Sequence, residues 1–233
     1  MARLNKWVKT ILFLLGSVFL TRFIPFSSLF RNLDTMIHEF AHAMMTLFTS
    51  GRVLSIELNA DHSGVTYSTM TSVWSAVFIG LAGYITASLT AVLLFYWMYK
   101  QWQKWGLMLL TTVALLMLIF FVHQGYGVIW LAGFIVLNVI MLYLPQMLRN
   151  MYFGLLAFLT LEESVMGPLF LVTQSLMGKN AGDASNLAKW THVPSILWAL
   201  LFLVIALACT RIALHLLFRS WKEPRHREWN NSQ

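Results

Sequence analysis

Apolar runs separated by short polar or basic stretches set the pattern of this chain from residue 8 to residue 218. A helix needs about 20 predominantly apolar residues to cross the hydrocarbon core of a bilayer. The pattern predicts such helices near 8–24, 33–49, 72–99, 105–122, 125–144, 151–177 and 193–218. The expected fold is therefore all-α and polytopic, with six or seven transmembrane helices. The first run follows Arg3, Lys6 and Lys9 much as a signal peptide would, but it lacks an Ala-x-Ala cleavage site. It is expected to remain as an anchor. The run 33–49 is interrupted by Asp34, Glu39 and two histidines. Such a helix persists in a membrane only if its polar face looks into the bundle or a water-filled cavity.

Between the second and third runs the period changes from helical to alternating. Leu54, Ile56 and Leu58 alternate with Ser55, Glu57 and Asn59, and Val65 and Tyr67 alternate with Thr66 and Ser68. The turn-rich Ala60-Asp61-His62-Ser63-Gly64 lies between them. The segment reads as a β-hairpin. Open strand edges are not tolerated in lipid, so the hairpin should lie at the interface or line a cavity.

Composition agrees with a membrane protein. Hydrophobic residues make up 58% of the chain and charged residues 11%, against about 25% charged in soluble domains. The 233 residues suffice for one integral membrane domain, 1–233, and leave no room for a sizeable soluble one. The formal charge of +7 does not indicate nucleic acid, because the basic residues flank apolar runs: Lys100 and Lys104 in a short loop, Arg219, Lys222, Arg225 and Arg227 at the end. That layout suits anionic lipid headgroups of the bilayer. The lone Cys209 excludes a disulfide framework.

The chemistry concentrates in His38-Glu39-Phe40-Ala41-His42. Residues four apart share a helix face, so both imidazoles can reach one metal ion. Two His donors suit zinc, and Glu39 beside the first can serve as general base towards an activated water. A third protein ligand is still needed. Asp34, Asp61, Asp183, Glu162, Glu163 and the other histidines are the candidates. Asp34 is expected to cap its helix, and Asp61 and His62 to serve a turn. Asp183 stands in a polar stretch between two apolar runs, where it can begin a short helix. Glu162 and Glu163, just before Gly167-Pro168, call for compensation within an apolar helix, whether by a polar pocket, protonation or a water path to the metal. Gly80 and Gly83 permit close helix approach. His123 and His215 sit near segment ends, and His192 is close enough to Asp183 in sequence to support it.

The motif His38-Glu39-Phe40-Ala41-His42, the hairpin with Gly64-Val65-Thr66 and the following Gly80-Leu81-Ala82-Gly83-Tyr84 resemble the site-2 protease family. The likeness is nearest to its compact bacterial-type branch without a PDZ or CBS domain. Gly182-Asp183-Ala184, with Leu187-Ala188 and Thr191-His192-Val193-Pro194 behind it, looks like that branch's distal motif. Better-known members carry Asn-Pro-Asp-Gly or Leu-Asp-Gly, whereas here the order is Gly-Asp. The resemblance covers roughly residues 33–200. It implies one zinc ion per chain held by His38, His42 and Asp183, with Glu39 catalytic. It implies an intramembrane endopeptidase of a bacterial cell membrane, cleaving transmembrane or membrane-proximal segments of membrane proteins and open to a regulatory partner. The alternatives are a membrane zinc hydrolase acting on lipid amides or esters, a metal transporter and a catalytically silent scaffold. Retention of Glu39 speaks against the last two, since zinc binding alone does not require it.

Overall fold

The structure, a computed structural model, describes residues 28–222 together with Leu15. The expected anchor 8–24 therefore lies outside the described residues apart from Leu15. Helix α1 (Ser28–Phe48) is followed by strands β1 (Arg52–Leu58) and β2 (Gly64–Thr69), and then by helices α2 (Val73–Lys100), α3 (Gln103–Phe120) and α4 (Tyr126–Tyr143). Helix α5 (Gln146–Leu176), the short α6 (Gly182–Thr191) and α7 (Ser195–Lys222) complete the described fold. Helices α2, α3, α4, α5 and α7 are each long and apolar enough to cross a membrane. The protein is thus a multi-pass integral membrane protein, with helix boundaries within a few residues of those the hydropathy pattern predicts.

Local chemistry explains where the helices stop and start. Ser72 and Ser75 form a reciprocal capping box at the start of α2, satisfying two N–H groups that the first turn leaves orphaned. Pro145 and Pro194 immediately precede α5 and α7, where a missing N–H costs nothing. Gln101 closes α2 in the left-handed conformation at φ 60°. Helix α5 continues through Pro168, beyond the buried pair Glu162 and Glu163.

Helix α2 packs against α1, α5, α6 and α7. Small residues on α2, among them Ala76, Gly80, Ala87 and Ala91, are buried and let its neighbours approach closely. Deeper in the bundle Phe95 and Phe158 meet edge to face at 5.1 Å and 80°, filling the space between α2 and α5. A second apolar cluster, built from Val77, Leu171, Ala184, Leu187, Ala199 and Phe202, clamps α6 between α2, α5 and α7. Leu187 nestles at Gly80, where a Cβ would come 2.9 Å from its Cδ2. Gly80 is a packing residue, as its sequence context predicts.

The hairpin forms where the alternation places it, with Ile56 opposite Thr66 and Leu58 opposite Gly64. Ile56 and Leu58 are buried beneath it. A bulge between Val53 and Ser55 takes Leu54 out of this alternation and leaves it 62% exposed. The outer edge of β1 is covered in part, since Ile56 N–H donates to the Phe121 carbonyl at 2.9 Å. Among the described residues, the outer edge of β2 pairs with no other backbone.

Candidate metal centre

Helix α1 carries a polar stripe, Arg31, Thr35, His38 and His42, whose spacings of four, three and four residues keep it on one face. The N-terminal turn of α6 faces this stripe and supplies Asp183. The chain enters that turn through Gly182 at φ +52°, a left-handed backbone that glycine adopts without strain. This accounts for a glycine directly before the aspartate. The Ala181 N–H donates to Ser185 Oγ at 2.8 Å, which secures the start of α6.

Three ligand atoms converge. Asp183 Oδ2 lies 3.0 Å from His38 Nε2 and 3.1 Å from His42 Nε2, and the two Nε2 atoms are 2.9 Å apart. Ligand atoms on a tetrahedral zinc, with Zn–N near 2.0–2.1 Å, stand about 3.3 Å from one another. The spacing therefore fits one such ion. Among the described residues these three form the group of His, Cys or carboxylate side chains close enough to share a metal.

The donor chemistry fits as well. His42 Nδ1 is 2.7 Å from the Ile79 carbonyl. A carbonyl only accepts, so Nδ1 carries the hydrogen and neutral His42 turns the lone pair of Nε2 towards Asp183. In that tautomer the Nε2 lone pair and the carboxylate oxygen repel unless a positive charge stands between them, and a metal ion held by His38, His42 and Asp183 would supply it. The His38 imidazole packs against α2 at Gly83, where a Cβ would come 2.6 Å from its Nε2, and meets the Tyr84 ring edge-on at 4.5 Å. Gly83 thus does more than bring helices together: it makes room for an imidazole.

Glu39 is 5% exposed. Its Oε2 accepts a hydrogen bond from Thr66 Oγ1 at 2.7 Å. A cavity of about 600 Å³ opens beside Glu39, His38 and Asp183 and continues past Asp34, Glu163 and Tyr84.

The other sequence candidates separate from the centre, some with a different role from the one expected. Asp34 does not cap α1. The helix already runs from Ser28, which places Asp34 in its second turn, on the cavity wall. Asp61 serves the hairpin turn: its Oδ1 accepts from the Ser63 N–H at 3.0 Å and from Ser63 Oγ at 2.6 Å, and these bonds hold its carboxyl below the ordinary value. Glu163 is compensated by an ion pair with Arg31, whose Nε donates to Oε1 at 2.7 Å. His192 is exposed and closes α6 at φ 59°. It stands nine residues from Asp183, about 13 Å along a helix, and does not support it. His123 and His215 are exposed.

The roles of Thr66, Arg31 and the Ile79 carbonyl escape the sequence reading, although Gly64-Val65-Thr66 carries part of the family resemblance. Arg31 had a signal, since it stands seven residues before His38 on the same face. Thr66 had a weaker one, as a polar position paired with the buried Ile56. The Ile79 carbonyl had none, because any residue supplies a carbonyl.

No curated protein and no solved structure matches the chain. A family model described as Peptidase M50B-like matches residues 9–213, which span both the helix bearing His38-Glu39-Phe40-Ala41-His42 and the turn bearing Asp183. The chain belongs to this M50B-like peptidase family, membrane metallopeptidases of the site-2 protease type.

Proposed function

We propose that the protein is a zinc-dependent endopeptidase that cleaves transmembrane or membrane-proximal segments of other membrane proteins. The convergence of His38 Nε2, His42 Nε2 and Asp183 Oδ2, one residue from a buried Glu39 and beside a cavity within an apolar bundle, carries this reading. His38, His42 and Asp183 would hold the ion. Zinc in such a site supplies a Lewis acid and lowers the pKa of water from 15.7 to about 7. Glu39 takes the proton of the attacking water on its carboxylate and returns it to the departing amine nitrogen. The surrounding helices exclude bulk water and hold the reacting groups in fixed register.

A transmembrane substrate must lose its helix locally before its amides can react, because helical amides are already hydrogen-bonded. The unpaired outer edge of β2 offers replacement backbone partners to a segment in extended form. Val65 and Tyr67, 42% and 45% exposed on the hairpin's outer face, suit an apolar chain laid there. A lipid amide or ester is the poorer substrate. The apolar cavity between α4 and α5, lined by residues such as Tyr126, Trp130, Phe134 and Leu156, includes none of His38, Glu39, His42 or Asp183. An acyl chain seated there would not deliver its carbonyl to the metal.

The test is zinc content of detergent-purified protein, together with cleavage of a fluorogenic apolar peptide of transmembrane length bearing helix-weakening residues at its centre. The expected result is about one zinc per chain in the wild type, lost in His38→Ala and in Asp183→Ala. Cleavage should be present in the wild type and absent in Glu39→Gln, which keeps its zinc. Stoichiometric zinc in Asp183→Ala would move the third ligand elsewhere, and a wild type that takes up no zinc would end the hydrolase reading.

A further inference from the structure

The hairpin touches the motif helix at the residue on which proton transfer depends. Two positions of β2, two residues apart on one face, meet Glu39 directly. Thr66 Oγ1 stands 2.7 Å from Glu39 Oε2 and 3.1 Å from the Glu39 backbone carbonyl. A threonine hydroxyl has one hydrogen to donate, and the shorter of the two contacts, to the side-chain oxygen, takes it. At Gly64 a Cβ would lie 2.7 Å from Glu39 Cγ and 2.9 Å from Oε1, so the strand lies flush against the side chain. Oε2 is thereby tied to β2. Oε1 lies beside Gly64, and Glu39 and Gly64 both line the cavity. A glutamate side chain has three rotatable bonds and no fixed carboxylate position unless something holds it. The hairpin is itself anchored, since Thr35 Oγ1 donates to the His62 carbonyl at 2.8 Å and Ile56 N–H donates to Phe121.

We propose that Thr66 is the positioning residue of the general base, its hydroxyl holding the Glu39 carboxylate in place for proton transfer. The inference rests on the reading of Glu39 as base given above. It makes the hairpin part of the catalytic apparatus rather than a connector. A structural threonine bound to the Glu39 carbonyl would instead affect folding without a specific effect on turnover.

The experiment compares Thr66→Val, which keeps the shape without the hydroxyl, with Thr66→Ser, which keeps the hydroxyl. Both are zinc-loaded and assayed on the fluorogenic peptide, and melting is measured for Thr66→Val in the wild-type and Glu39→Ala backgrounds. In Thr66→Val, kcat should fall roughly 10-fold or more while KM and zinc content stay unchanged, and Thr66→Ser should recover most of the loss. Melting should drop in the wild-type background and scarcely change in Glu39→Ala, where the bond is already gone. Glu39-dependent cleavage by Thr66→Val at the wild-type rate, or equal melting shifts in both backgrounds, overturns this proposal alone. A wild type that holds zinc yet cleaves nothing overturns the peptidase reading and this proposal with it.

Discussion

Gly83 and Asp183 show how the proposed zinc site depends on residues that sequence patterns treat unequally. At Gly83 a methyl group would sit 2.6 Å from His38 Nε2, in space the imidazole already fills. Gly83→Ala is therefore expected to expel the ring and strip the zinc, whereas Gly133→Ala, whose Cβ meets nothing within 4 Å, should keep it. Metal analysis of the two purified variants decides the point. His38, Glu39 and His42 are legible because four-residue spacing is a local property of a helix, independent of the rest of the fold. Asp183 is one candidate among several on chemistry and is singled out only through resemblance, since nothing local links it to a histidine 145 positions away. Thr66 is harder still, because its role follows from strand pairing and from how the hairpin lies on α1.

At the level of elements, the second strand of the hairpin inverts the usual rule for half-buried strands, which the first obeys with Ile56 and Leu58 buried. In β2 the apolar Val65 and Tyr67 face outward, while Gly64 and Thr66 turn inward against Glu39. Alternation reveals that a strand exists, but not which of its faces the carboxylate of a neighbouring helix will claim. The same limit applies to Asp34, whose place in the second turn of α1 depends on where that helix begins. Helix α6 shows the opposite case: its ten residues are short and weakly apolar, yet the fold relies on them to deliver Asp183. Leu187, 1% exposed, is its main apolar anchor at Gly80. Leu187→Ala should cost about 2–5 kcal/mol, in line with other large-to-small core substitutions. It should also loosen zinc, visible as a lower melting temperature together with faster metal loss to a chelator.

For the molecule as a whole, Arg31 ties α1 to α5 through Glu163, with its Nη1 3.3 Å from His62 Nδ1 at the hairpin tip. Both partners are largely buried, with side chains 19% and 6% exposed. Removing one member of such a pair leaves a charge stranded at a cost of about 3–5 kcal/mol, while replacing both with apolar residues is often neutral. Arg31→Met should therefore destabilise strongly, and Arg31→Met combined with Glu163→Leu should recover most of the loss in denaturant unfolding. If the double variant is no better than the single one, the pair is not what stabilises Glu163. The bundle itself was readable from hydropathy because crossing a bilayer demands long apolar helices. This cross-brace was not, because it joins positions 132 residues apart.

The contact between β2 and Glu39 has a pharmacological consequence. On the proposed function, a chelator would disarm the enzyme by removing the zinc held by His38, His42 and Asp183, and added zinc would restore it. A strand-mimicking compound that lifted β2 from α1 would leave His38, His42 and Asp183 untouched while releasing the carboxylate from Thr66. The product would be a fully metallated but silent enzyme, which zinc supplementation could not rescue and which metal analysis alone would score as intact.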